Sequence, residues 1–186
     1  MNNSKKAMAE GLKQLMRQRP FHKITVDNIC KEARTSHRNF YRHFSDKYEL
    51  LNWIYDEDFL KLLPDQGTMN IWAYLPEICR HLYEDRIFYL RAFDVTGQNS
   101  FREFCTEKLY PLLMDGFGKA FDRVETAQYV ITNITDATFD AFQRWLSSPE
   151  PMPPDEYAQK MIQTVTDLAE MIYQMGQPYT HREEEH

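Results

Sequence analysis

Apolar residues recur three and four positions apart along nearly the whole chain, and no stretch shows the period-two alternation of a strand. The pattern predicts an all-α fold. Met8, Leu12, Leu15 and Met16 form one stripe of a first helix over 4–19, stopped by Pro20. Thr25 is a good N-cap for a second helix whose inner face is Val26, Ile29, Cys30 and Ala33. Arg34 and Thr35 make a tight turn, and Ser36 caps a third helix anchored by Phe40 and Phe44, four residues apart. Asp46 caps a fourth, running through Leu51, Ile54, Tyr55, Phe59 and Leu62 towards Pro64.

Beyond Pro64 the helices lengthen. A segment over 69–84 contains Pro76, which should kink or restart it, and the next helix, 86–95, ends near Gly97. Ser100 and Glu103 have the spacing of a capping box, opening a helix to about 114 that Pro111 should bend. Two long helices follow, over 125–146 and 155–175, separated by the proline-rich run 147–154. Their apolar positions (Ile131, Ile134 and Trp145 on one, Met161, Val165 and Leu168 on the other) are more than a thin bundle needs, which points to dimerisation.

Charge divides the chain in two. The net charge is −6, yet residues 1–50 hold 11 Lys and Arg against 5 Asp and Glu, while the remainder holds 11 against 23. A basic head on an acidic body is expected when one end meets a polyanion. Within the head, the third helix packs His37, Arg38, Asn39, Tyr41, Arg42 and His43 into seven residues, a set suited to phosphates and base edges. A DNA-reading helix-turn-helix follows, with a three-helix DNA-binding head over 1–46 and a helical effector-binding and dimerisation body over 47–186.

Other chemistry is sparse. Cys30, Cys79 and Cys105 stand singly, which suggests a reducing compartment. No leader-like apolar run opens the chain and no stretch of about 18 apolar residues occurs, so a cytoplasmic protein without a membrane span is expected. No Gly-rich phosphate loop, GxSxG or HExxH is present; neither an enzyme nor a metal or cofactor site is expected. The aromatic-rich body could line a pocket for a small-molecule effector of unknown identity, with His81, Arg91, Arg102 and Gln143 as its candidate polar groups.

The ordered elements ITVDNI, FYRHF, DK and LL resemble the TetR/AcrR family of one-component regulators over roughly residues 7–60. The longer strings PFHKITVDNI and FYRHFSDKYELLNWIY are similar to a subgroup that includes the regulator of dihydroxyacetone kinase operons. The resemblance implies a homodimer on a palindromic operator in double-stranded DNA and an effector-binding body. It implies phosphate contacts for Thr25, Ser36 and Lys47, backbone-side positions for Tyr41 and His43, and base reading from the first turn of the third helix. There Arg38 could pair with guanine and Asn39 with adenine. Two departures stand out: Arg34-Thr35 where relatives carry Gly-Val in the turn, and Arg38-Asn39 in place of a small Gly-Thr pair. An Arg34 forced into a left-handed conformation would cost roughly 1 kcal/mol. These departures keep open a co-regulator that acts through a protein partner.

Overall fold

The computed structural model describes residues 2–60, 71–97, 100–117 and 124–176, and among them every regular element is helical. The head comprises α1 (Asn2–Gln18), a single 3-10 turn (Phe21–Lys23), α2 (Val26–Glu32) and α3 (His37–Tyr41). The helix α4 (Lys47–Tyr55) widens into a π turn over Asp56–Leu60. The body continues with α5 (Leu75–Glu84), α6 (Arg86–Phe93), α7 (Phe101–Phe117), α8 (Val124–Ser147) and α9 (Pro154–Gly176).

Local chemistry sets most of these ends. The Thr25 hydroxyl accepts from the Asn28 N–H at 3.2 Å while the Thr25 N–H donates to the Asn28 carboxamide at 3.1 Å, closing a capping box. Asp46 accepts from the N–H groups of Tyr48 and Glu49, fixing the start of α4. Ser100, buried, accepts from the N–H of Glu103. Pro76 lies at the second position of α5, where its missing N–H costs nothing, so it restarts the helix rather than kinking it. The expected helix end at Pro64 and the start at 69 lie outside the described residues. The helix α7 passes through position 111 and ends at Phe117, beyond the expected stop near 114.

One apolar core runs from head to body. Met8, Leu12 and Met16 of α1, Ile29 and Phe40 of the helix-turn-helix, and Leu50, Leu51 and Ile54 of α4 are all buried and join the cluster around Phe88, Tyr89 and Phe101. The crossing of α1 over the end of α2 is close at Gly11: a β-carbon there would sit 3.2 Å from the Ala33 nitrogen, a tight contact. Packing of α1 against α6 as well as α2 and α4 ties the head directly to the body.

A polar cluster reinforces that junction. Asp58, on the π turn, accepts from Lys13 of α1 at 2.6 Å and from the Tyr89 hydroxyl of α6 at 2.7 Å. His81 of α5 lies 3.0 Å from the Tyr89 oxygen and 3.5 Å from Asp58. Arg17 of α1 grips Asp85 through two N–H groups at 3.0 and 2.8 Å. Burial alone would raise the Asp58 carboxyl; hydrogen bonds from His81 and Lys13, the Lys13 charge and the Tyr89 hydroxyl hold it instead at about 2. Burial and the Asp58 charge push Tyr89 well up, so its phenol stays protonated and donates.

The long C-terminal helices divide their apolar residues. Ile131, Trp145 and Ala158 are buried, and Trp145 stacks on Tyr157 with centroids 4.1 Å apart. Ile134 is 53% exposed, Val165 38% and Leu168 48%, so among the described residues nothing fully covers this part of either helix.

Candidate nucleic-acid interface

The turn between α2 and α3 is tight because α2 ends in a paired-bond C-cap. The Arg34 N–H donates to the Lys31 carbonyl at 3.2 Å and the Thr35 N–H to the Cys30 carbonyl at 2.9 Å. That pairing requires a left-handed residue between them, and Arg34 takes it with φ +50°. The usual occupant is glycine; here an exposed arginine accepts the strain. Ser36 then caps α3, its hydroxyl accepting from the Asn39 N–H at 3.1 Å. With Thr25 and Ser36 both accepting in caps, each hydroxyl keeps its own proton for an outside acceptor such as a phosphate oxygen.

The third helix presents its polar residues unequally. Arg38 is exposed and no group among the described residues engages its guanidinium. Tyr41 is 57% exposed, its ring edge-on to Phe40. His37 reaches back to Asp27 at 3.3 Å, which also holds Lys31 at 2.7 Å. Burial, then the nearby charges of Arg42 and Lys5, lower the His43 pKa, so the ring is neutral at pH 7 and can accept from Arg42 at 3.5 Å.

Two residues sit otherwise than the sequence suggests. Asn39, expected to face adenine, is half-buried and donates to the Thr35 hydroxyl at 2.8 Å while accepting from Arg42 at 2.7 Å. Lys47, expected as an open phosphate anchor, donates to the carbonyls of Phe21 at 3.0 Å and Ile24 at 2.8 Å and lies over the Phe21 ring. Burial lowers its pKa. A phosphate would find the third N–H of that ammonium only. Sequence reading overlooked Thr35 as a partner of Asn39, and Lys5, whose ammonium lies 5.2 Å from the Phe44 ring centre at the edge of the same surface. The basic pair Lys5-Lys6 was the available signal.

The body does not bring His81, Arg91, Arg102 and Gln143 together. His81 belongs to the Asp58 cluster, and Arg102 pairs with Asp136 at 2.7 Å and with Asp140 on the outer face of α8. Arg91 and Gln143 share an open hollow with Ile87 and Ser147. Arg91 also borders a cleft of about 150 Å³ between head and body, beside Phe21, His22 and Tyr48. Between α4, the π turn, α6 and α7, the rings of Tyr55, Phe59, Tyr89 and Phe101 pack against one another, with centroids 4.6–5.7 Å apart. Among the described residues no helix is long and apolar enough to cross a membrane, and no cluster of three His, Cys, Asp or Glu could hold a metal ion.

Comparison with known proteins agrees with this geometry. Residues 10–54 match the family described as bacterial regulatory proteins, tetR family, and residues 70–167 match a transcriptional regulator C-terminal region of the same group. The HTH-type dhaKLM operon transcriptional activator DhaS of Lactococcus lactis subsp. lactis (strain IL1403) is 34% identical over 91 residues, 48% of this chain and 49% of that protein. The matched stretch thus spans about half the length of that relative. The solved structure of dihydroxyacetone kinase operon activator DhaS superposes with a TM-score of 0.65 at 21% identity, covering 90% of this chain and 97% of the other. A TetR transcriptional regulator from Streptococcus agalactiae 2603V gives 0.62 at 18% identity, covering 88% and 94%. Both share the fold. A helix-turn-helix head and a C-terminal region that each match the same group, on an all-helical frame, place the chain: it belongs to the TetR family of transcriptional regulators.

Proposed function

We propose that the chain is a ligand-responsive regulator that binds a palindromic operator as a homodimer in the cytoplasm, with α3 of each copy in successive major grooves, roughly 34–36 Å apart. The observation that carries this reading is the unengaged Arg38 guanidinium in the first turn of α3, held on a capped helix within a basic head. Arg38 reads guanine through its two parallel donors. Thr25, Ser36, Tyr41 and His43 line the backbone, and Lys47 adds its remaining N–H. The uncovered residues of α8 and α9 supply the dimer contact, burying Val165 and Leu168 against the partner. Likeness to an operon activator supports an activating role, in which DNA-bound protein aids transcription.

A second reading keeps the same head but takes the controlling signal from a protein partner. The ring-filled interior between α4, α6 and α7, and the open form of the two hollows beside Arg91, favour it. A gel-shift on the DNA upstream of the protein's own gene, with and without cell extract, separates the two. A shift by purified protein alone that a small-molecule fraction modulates supports the first. A shift that needs a protein fraction supports the second, and no shift under either condition overturns both.

A further inference from the structure

The Asn39 carboxamide faces two side chains at once, and what those partners can offer fixes its orientation. An arginine has donors only, so the atom 2.7 Å from the Arg42 Nη2 must be the oxygen. The amide nitrogen then faces Thr35, whose hydroxyl oxygen accepts at 2.8 Å. One N–H and one oxygen lone pair of Asn39 are thereby committed within the protein, and these two contacts fix the plane of its carboxamide, although its neighbours Arg38, Tyr41 and Arg42 are exposed.

We propose that Asn39 is a positioning residue for Arg42 rather than a reader of adenine, and that Thr35, Asn39 and Arg42 form a brace presenting the Arg42 guanidinium to DNA. This rests on the DNA-binding reading above. The brace is rooted in rigid backbone: Thr35 directly follows the left-handed Arg34 and its N–H is tied to Cys30. Helical side chains lean towards the N-terminus, so the guanidinium of Arg42 lies back over residues 38 and 39, in the turn that meets base edges in helix-turn-helix docking. A free arginine has much rotamer freedom to lose on binding; one already held by a short hydrogen bond loses less. With Nη2 on Asn39, Nη1 and Nε of the exposed Arg42 keep their N–H groups available as donors among the described residues. Thr35 keeps its hydroxyl proton and can add a phosphate contact of its own. Arg38-Asn39 thus replaces a small pair not with two readers but with one reader and one support, which sets two guanidiniums, Arg38 and Arg42, on one helix face.

Fluorescence anisotropy on the best sequence selected from a random DNA pool tests this with the full chain, N39A, R42A and the double variant. Asn39→Ala is expected to weaken binding roughly tenfold, the scale of one charge-assisted hydrogen bond. In the R42A background it should add nothing, and its base-preference profile should follow that of R42A. A penalty that persists undiminished without Arg42, together with lost preference for one adenine, would show a direct reader and overturn the brace. So would wild-type affinity in N39A. Side-chain 15N NMR of the free protein gives a second readout: the Arg42 Nε–H signal should be sharp in wild type and broadened in N39A. Should N39A not fold, Thr35→Val, which cuts the far end of the brace, is expected to broaden the same signal and cost a smaller factor. An unchanged signal and affinity in T35V would overturn the proposal. If the wild-type protein selects no sequence at all, the DNA-binding reading itself fails and the brace falls with it.

Discussion

Arg34 occupies a backbone conformation that side chains avoid, and it does so on the exposed surface. Arg34→Gly is therefore expected to stabilise the fold by about 0.5–1 kcal/mol, a rise in Tm of about 1–4 °C read by thermal denaturation. If the arginine is kept for its charge, the same variant should lose DNA affinity and show a shallower salt dependence. Lys47 invites the opposite test. Lys47→Met keeps the apolar stem over Phe21 but removes two bonds to carbonyls, so it should destabilise by about 1–3 kcal/mol as well as weaken all DNA sequences alike. Denaturation and anisotropy on the same preparation separate the two effects. Arg38→Ala should behave differently again: unchanged stability, about 1–3 kcal/mol lost on the selected sequence, and blurred preference at one base position.

Among the elements, the ones whose limits are written in neighbouring residues are legible in the sequence. Thr25, Ser36 and Asp46 each cap the helix they precede, and Phe40 and Phe44 anchor α3 as their spacing implies. Pattern could not reveal features that arise only when distant segments meet. Lys47 reads as a surface cation until the carbonyls of Phe21 and Ile24 are brought beside it, and Asn39 reads as a base contact until Thr35 is seen beneath it. The π turn after α4 was equally hidden, since Asp56, Glu57 and Asp58 look like one solvated acidic face. Asp58 instead turns inward to Lys13 and Tyr89. Its carboxyl titrates at about 2 against an ordinary 3.8. The depressed value means that its stabilisation is complete above about pH 4 and is lost as the pH falls towards 2, a contribution of about 2 kcal/mol. Asp58→Asn should remove that much at pH 7 and flatten stability between those pH values, as followed by urea denaturation across pH.

At the scale of the whole molecule, a basic head and an acidic body share one core, and two helices carry apolar residues left exposed among the described residues. Val165→Glu with Leu168→Glu, both on that uncovered face, should leave the monomer folded but shift sedimentation from dimer to monomer and abolish cooperative operator binding. Sedimentation unchanged by both charges would place the contact elsewhere. The junction of head and body has a further consequence. A seam of aliphatic side chains can slide by fractions of an ångström, whereas Lys13, Arg17, Asp58, His81, Asp85 and Tyr89 must each find a matching donor or acceptor after any movement. Such a joint has few registers. The head should click between discrete angles rather than drift, each molecule occupying one angle or another with little between. In the proposed dimer, single-molecule distance measurements between the two heads should then show separate populations whose weights change while their positions stay fixed.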